Sequence, residues 1–262
     1  YFVYFVVLYK MKNEGAIFIQ HKWYKTMKGS DVMKKIGLLG GMSWESSLEY
    51  YRIINELVKS KLGGVHSAKC LLHSFDFHEI ERLQHRGEWE TLKKLMVKEA
   101  NNLKAAGAEF IVICTNTMHL MAPDIEQNTG LKVIHIADAT ADEIIKKNVS
   151  KVLLLGTKFT MESSFYRDRL ENKGIEVLTP DKLDQQIIHD IIYNELILGV
   201  LNMESKQSYI NIINKAIEKG VTGVVLGCTE IPLLIKQDDV NIEVFDTTVI
   251  HARAAVDYAI YE

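Results

Sequence analysis

Two short segments of this 262-residue chain carry the side chains best suited to chemistry. At Cys114-Thr115-Asn116-Thr117 and at Gly227-Cys228-Thr229-Glu230, an apolar run with strand character breaks into thiol, hydroxyl, amide and carboxyl groups. Each run follows a helical stretch and a glycine, Gly107 in the first case and Gly220 in the second. Carboxyl ends of strands are where α/β sheets bind ligands. A thiol or hydroxyl at each end, with neighbours able to hold a small polar molecule, predicts two reactive groups approaching one substrate from opposite sides.

The elements that must position these groups follow from the apolar spacing. Strands are predicted at Lys35 to Leu39, Lys69 to Phe75, the run ending at Cys114, and Lys132 to Ile136. Between them lie helices at Trp44 to Leu62, with Ser43 as N-cap, at about Trp89 to Ala106, and a short one after Thr117. The pattern then starts again. Lys151 to Met161 resembles Lys35 to Met42, Gly174 to Leu178 supplies another strand, and a long helical stretch leads to Val221 to Gly227. This alternation predicts an α/β protein of two pseudo-symmetric domains, residues 33–148 and 149–262, each a mostly parallel sheet flanked by helices. The two chemical ends then meet in the cleft between them, and the C-terminal helix is free to pack back on the first domain. Residues 1–32 break from this pattern, with an aromatic and β-branched start at Tyr1 to Tyr9, and are expected to be an extension outside the catalytic fold.

Composition excludes several functions. A hydrophobic content of 47% with 25% charged residues suits a globular protein, and a net charge of −3 offers no attraction for nucleic acid or an anionic membrane. Tyr1 to Tyr9 lacks the basic flank of a signal peptide and is too short to span a bilayer as a helix. Cys70, Cys114 and Cys228 are odd in number and far apart, so neither a disulfide framework nor a zinc site is expected, and a reducing cytoplasm is the simplest location.

Other motifs fail on spacing. Gly37, Gly40 and Gly41 fit neither the dinucleotide fingerprint nor the phosphate-binding loop. His73, His78 and His85 are too irregular for a helical metal site, Cys70 reads as a small core residue, and no nucleophile elbow is present. Cys228 could also be a small core residue. Gly227 before it, Thr229 and Glu230 after it, and Pro232 limiting the strand favour a functional thiol.

At these residues the chain resembles the aspartate/glutamate racemase superfamily, and more narrowly its broad-specificity amino-acid racemases. The resemblance runs from Met33 almost to the C-terminus. It rests on Gly37 to Ser47, Leu72 to Ile80, Cys114 to His119, His135 to Thr140, Leu155 to Met161 and Gly227 to Ile231. It implies inversion of an amino-acid α-carbon with no cofactor and no metal, using one acid/base group on each face. The family's usual first motif is Cys-Asn-Thr, whereas Thr115 precedes Asn116-Thr117 here and the cysteine is displaced to Cys114. Successive strand residues point to opposite faces, so Cys114 does not simply take over. The resemblance extends to a subgroup with threonine at this position, which makes Thr115 the first-face residue, directly or through a water. Cys228 is then the second-face residue, facing the α-hydrogen of the L form.

A thiolate is a competent base once its pKa falls below about 8.5, which helix N-termini promote. Asn116, Thr117 and Thr229 are expected to hold the α-carboxylate. The resemblance implies that Met42 and Gln84 line the substrate pocket and that Lys158 pairs with a side-chain carboxylate. Glu230 is left to receive the α-ammonium or to orient Cys228. The expected partner is a small amino acid, with a homodimer as an open possibility for assembly. Two other readings are another reaction on the same scaffold, such as maleate isomerisation, hydantoin racemisation or malonate decarboxylation, and a non-catalytic amino-acid binding protein.

Overall fold

The computed structural model describes residues 33–261 and, before them, only Leu8–Tyr9 paired antiparallel with Phe18–Ile19. The chain separates into two compact units, Tyr1–Met33 and Lys34–Glu262. Apart from those four residues, the extension expected over residues 1–32 lies outside the described residues. Everything below concerns the larger unit.

Its first half holds β1 (Ile36–Gly40), α1 (Trp44–Leu62), β2 (Cys70–Ser74), α2 (Phe77–His85), α3 (Trp89–Ala105) and β3 (Phe110–Ile113). A 3₁₀ turn (Thr117–Met121), α4 (Ala122–Thr129) and α5 (Ile136–Lys146) follow. The second half runs through β4 (Lys151–Gly156), α6 (Lys158–Glu162), α7 (Ser164–Glu171), β5 (Glu176–Leu178) and α8 (Lys182–Asn194). It ends with α9 (Met203–Ile217), β6 (Gly223–Gly227), α10 (Ile231–Leu234), β7 (Glu243–Asp246) and α11 (Thr247–Tyr261). Both sheets are parallel, in the orders β2-β1-β3 and β5-β4-β6-β7. The halves therefore repeat one plan, in which the first strand of each sits between its second and third.

Sequence explains the layering. Every residue of β1, β3 and β6 is buried, as expected of apolar strands covered by helices on both faces. Strand β2 mixes His73 and Ser74 with apolar residues and is partly exposed at its sheet edge. Helix α1 begins where Ser43 Oγ accepts the Ser46 N–H at 3.3 Å, the expected N-cap. Before it, Gly41 takes φ +82°, and a Cβ there would lie 2.3 Å from the Phe75 carbonyl oxygen, so the turn out of β1 requires glycine.

One expected strand is corrected. Lys132 to Ile136 contributes only a single bridge, Val133 to Ile111, because His135 Nδ1 accepts the Ala137 N–H at 3.2 Å and starts α5 at Ile136. In the second half the equivalent neighbour of the third strand is the full strand β7. Helix α11 returns to the first half, where Tyr50 Oη donates to His251 Nδ1 at 2.7 Å and His251 Nε2–H donates to the Ile134 carbonyl at 2.6 Å. Those two bonds fix the His251 tautomer and tie the C-terminal helix to α1 and to the segment entering α5.

Candidate active site

In each sheet the strand order reverses between the first strand and the third, and such switch points open a crevice at the carboxyl ends. Four segments leave these ends: Gly41 to Ser43 after β1, Cys114 to Thr117 after β3, Thr157 after β4, and Cys228 to Glu230 after β6. One cavity of about 30 Å³ is lined from all four, by Met42, Thr115, Asn116, Thr117, Thr157, Gly227, Cys228 and Glu230. Gln84 from α2 and Phe77, Ile192, Tyr193 and Ile197 complete the wall. That volume holds about one or two waters, so the cleft is narrow. Gly156 and Gly227 allow the second-half ends to approach, since a Cβ on Gly227 would lie 2.7 Å from the Leu155 carbonyl oxygen.

Glu230 organises the Cys228 side. Its Oε1 accepts Ser43 Oγ and Ser46 Oγ, each at 2.8 Å, while Oε2 accepts Thr229 Oγ1 at 2.8 Å and Cys228 Sγ at 3.0 Å. A carboxylate offers about four acceptor positions, and all four are filled by protein donors. This favours orienting Cys228 over receiving an ammonium group, the alternative that the sequence left open. Burial, then the Glu230 charge and hydrogen bond, push the Cys228 thiol well above its ordinary pKa, against a smaller lowering from the Glu230 and Thr229 backbone N–H groups. The lowered thiol expected from helix N-termini is thus corrected: desolvation beside a carboxylate outweighs the backbone dipoles, and Cys228 is protonated.

The Thr115 side is built differently. Asn116 Nδ2 donates to Thr247 Oγ1 at 3.1 Å, and Thr247 Oγ1 donates onward to the Leu226 carbonyl at 2.8 Å, which fixes the amide orientation. Asn116 Oδ1 is left buried without a partner, at a cost of about 1–3 kcal/mol unless a ligand supplies a donor. Thr117 Oγ1 lies 3.4 Å from Thr157 Oγ1 and 3.3 Å from Thr160 Oγ1, a cluster of hydroxyls drawn from both halves. Gln84 Nε2 donates to Met118 Sδ at 3.2 Å. Cys114, one residue before Thr115, is fully buried and outside the cavity lining, and burial raises its pKa.

Two expected residues lie outside the lining. The Lys158 ammonium group bonds Gln186 Oε1 on α8, because Lys158 opens α6 with its side chain turned toward that helix. Thr229 spends its hydroxyl on Glu230 and Ser46. Sequence reasoning missed Ser43 and Ser46 as ligands of Glu230, and Phe77, Thr157, Ile192, Tyr193 and Ile197 as wall residues. Ser43, Ser46, Phe77 and Thr157 sit inside segments that carried the resemblance, whereas Ile192, Tyr193 and Ile197 gave no chemical signal. Among the described residues no group of three or more His, Cys, Asp and Glu side chains could hold a metal ion, and no helix is long and apolar enough to cross a membrane.

The model of the family described as Asp/Glu/Hydantoin racemase matches residues 39–255, which include all four strand ends. The chain belongs to that family. A crystal structure of a candidate Asp/Glu racemase from Yersinia pestis is 55% identical, with a TM-score of 0.82 over 87% of this chain and 99% of that one. An aspartate racemase homologue from Pyrococcus horikoshii OT3 is 40% identical, with a TM-score of 0.76 over the same shares of 87% and 99%. The broad specificity amino-acid racemase RacX of Bacillus subtilis is 23% identical over 87% of this chain and 99% of its own length. Membership of the racemase family fits a cavity lined from two parallel sheets.

Proposed function

We propose that this chain is an amino-acid racemase, an isomerase that inverts the α-carbon of free aspartate, glutamate or a wider set of amino acids and yields D-amino acids without pyridoxal phosphate or metal. The observation that carries this reading is one cavity lined by Cys228 from one half and Thr115 from the other. Family membership supports it. The substrate α-carboxylate lies between the hydroxyls of Thr117 and Thr157, and its ammonium group donates to the unpartnered Asn116 Oδ1. Met42, Gln84, Phe77 and Ile192 surround the side chain.

The protonated thiol dictates the order of steps. Cys228 passes its proton to Glu230 Oε2, 3.0 Å away, and the thiolate takes the α-hydrogen from one face. The electron pair left on the α-carbon delocalises into the carboxylate, where the surrounding donors stabilise it. A proton then reaches the opposite face from the Thr115 hydroxyl; water reprotonates the Thr115 oxygen, and the hydroxide so formed takes the proton held on Glu230, which returns every group to its starting state. The reverse direction uses the same groups in reverse.

Chiral analysis of aspartate, glutamate and a panel of neutral amino acids, incubated with purified protein and no added cofactor, tests the proposal. Formation of the mirror-image form, with α-hydrogen exchange in deuterated water, is the expected result, and it should survive chelators and carbonyl reagents. Binding without exchange would leave a non-catalytic binder instead. We also propose that residues 1–32 lie outside the catalytic fold, residues 33–148 and 149–262 forming its two domains, because a compact unit begins at Lys34. Deleting residues 1–32 should leave turnover intact. Cysteine usage supports a cytoplasmic enzyme, and sedimentation would test a homodimer.

A further inference from the structure

His119 stands one turn beyond Thr115 and is 1% exposed. Its Nδ1 lies 2.8 Å from the Thr115 carbonyl oxygen, and a carbonyl can only accept, so Nδ1 carries the proton. Nε2 is therefore a bare acceptor, and it is buried with no partner. Around it the other two imidazoles are held in fixed tautomers. His135 lies 4.8 Å and His251 5.1 Å away, centroid to centroid, with His135 Nδ1 accepting from Ala137 and His251 bridging Tyr50 and Ile134. A ring held only for its bulk would leave no unsatisfied nitrogen if it were an apolar side chain. The bond that distinguishes His119 from such a filler is the one to Thr115.

That bond acts where the chain needs it. Thr115 lies past the end of β3 and ahead of the 3₁₀ turn, so no sheet ladder fixes its backbone. Its hydroxyl must nonetheless meet the α-carbon from one side. A shift of the Thr115 peptide plane re-aims the hydroxyl directly, whereas Cys228 is held by Glu230 on another strand end.

We propose that His119 is a positioning residue for the Thr115 face, its Nδ1–H locking the Thr115 carbonyl so that the hydroxyl is aimed into the cavity. This rests on the reading of Thr115 and Cys228 as the two faces of a racemase. The test compares His119→Leu, which fills the space without a donor, with His119→Asn, whose amide N–H can take the place of Nδ1–H. Initial deuterium exchange from pure D- and pure L-aspartate or glutamate is measured for each, with kcat and KM in both directions and a thermal melt.

His119→Leu should slow exchange from the enantiomer that faces Thr115 by about tenfold or more through kcat, since small misplacements of a reacting group are costly. Exchange from the enantiomer facing Cys228 should stay within about twofold, and His119→Asn should recover most of the loss. Equal losses from both enantiomers, a change confined to KM, or no rescue by asparagine would overturn the assignment while leaving the racemase reading intact. Wild-type protein that exchanges neither enantiomer of any amino acid tested would instead remove the racemase reading, and this assignment with it.

Discussion

The two strand ends that meet in the cavity are built on one plan and chemically tuned apart. Cys228 is followed by a carboxylate that takes its hydrogen bond and raises its pKa, so the second-half group is an acid with its base attached. Thr115 has no carboxylate of its own among the cavity residues; its backbone is held by a neutral imidazole, and the residue lines the cavity with its hydroxyl in none of the bonds that order the Cys228 side. The difference teaches that repetition of fold need not repeat chemistry. The strands set where two groups meet, and the residues one to four positions beyond each strand set what those groups can do.

The largest test of this contrast removes the thiol. Cys228→Ser should lower racemisation in both directions by about a thousandfold, the scale of a lost acid/base group, whereas Cys114→Ser should stay within about threefold. Comparable losses in the two variants, measured by chiral chromatography, would erase the distinction between the strand ends.

Acid should then attack the Thr115 side. Burial holds His251 down to about 4, His135 to about 3 and His119 well below its ordinary value. In the unfolded chain these groups titrate near 6.5, so their folded pKa values are depressed and the unfolded state binds protons first. Their contribution to stability is present above pH ~6.5 and is lost as pH falls toward 4 and below. Three protons would give a slope of about 4 kcal/mol per pH unit at its steepest, between about pH 6 and 4. Urea midpoints across that range, with hydrogen exchange around β3 and α5, measure it; a flat profile would deny the burial of the trio.

Smaller effects sharpen the comparison further. Glu230→Gln removes the charge that raises the Cys228 pKa, so the thiol-dependent limb of the pH profile should move to lower pH by about one unit or more, even as kcat falls. A limb that stays in place would mean that Glu230 does not control the thiol. Thr115→Cys should bring the two initial deuterium-exchange rates, from L- and D-substrate, closer together, to within about threefold, because a thiol would replace a hydroxyl that is a weaker acid by several pKa units. Rates as unequal as in the parent chain would place the asymmetry elsewhere.

Much of this was legible in sequence because its causes are local. Apolar runs ending in Cys114-Thr115 and Gly227-Cys228, and the Ser43 cap of α1, depend on neighbours in the chain. The strand predicted over Lys132 to Ile136 failed because His135 caps a helix, a competing use of the same few residues that periodicity does not register. Phe77–His85 was not expected as a helix, although Asp76 caps it, because its apolar spacing is short. The raised Cys228 pKa was out of reach for another reason. Backbone dipoles can be inferred from the element order, but burial beside Glu230 is a property of the narrow cleft. Nor could sequence reveal that Ser43 and Ser46 bond a carboxylate more than 180 residues away.

Those two serines have a consequence for how the reactive thiol is held. Ser43 and Ser46 belong to one half and Glu230 to the other, so the carboxylate that orients Cys228 is itself gripped from across the cleft. Any parting of the halves would strip Oε1 of both its donors and free the side chain that aims the thiol. The aim of the second-half group therefore depends on the first half staying in place, and the serines act as a clasp between the two.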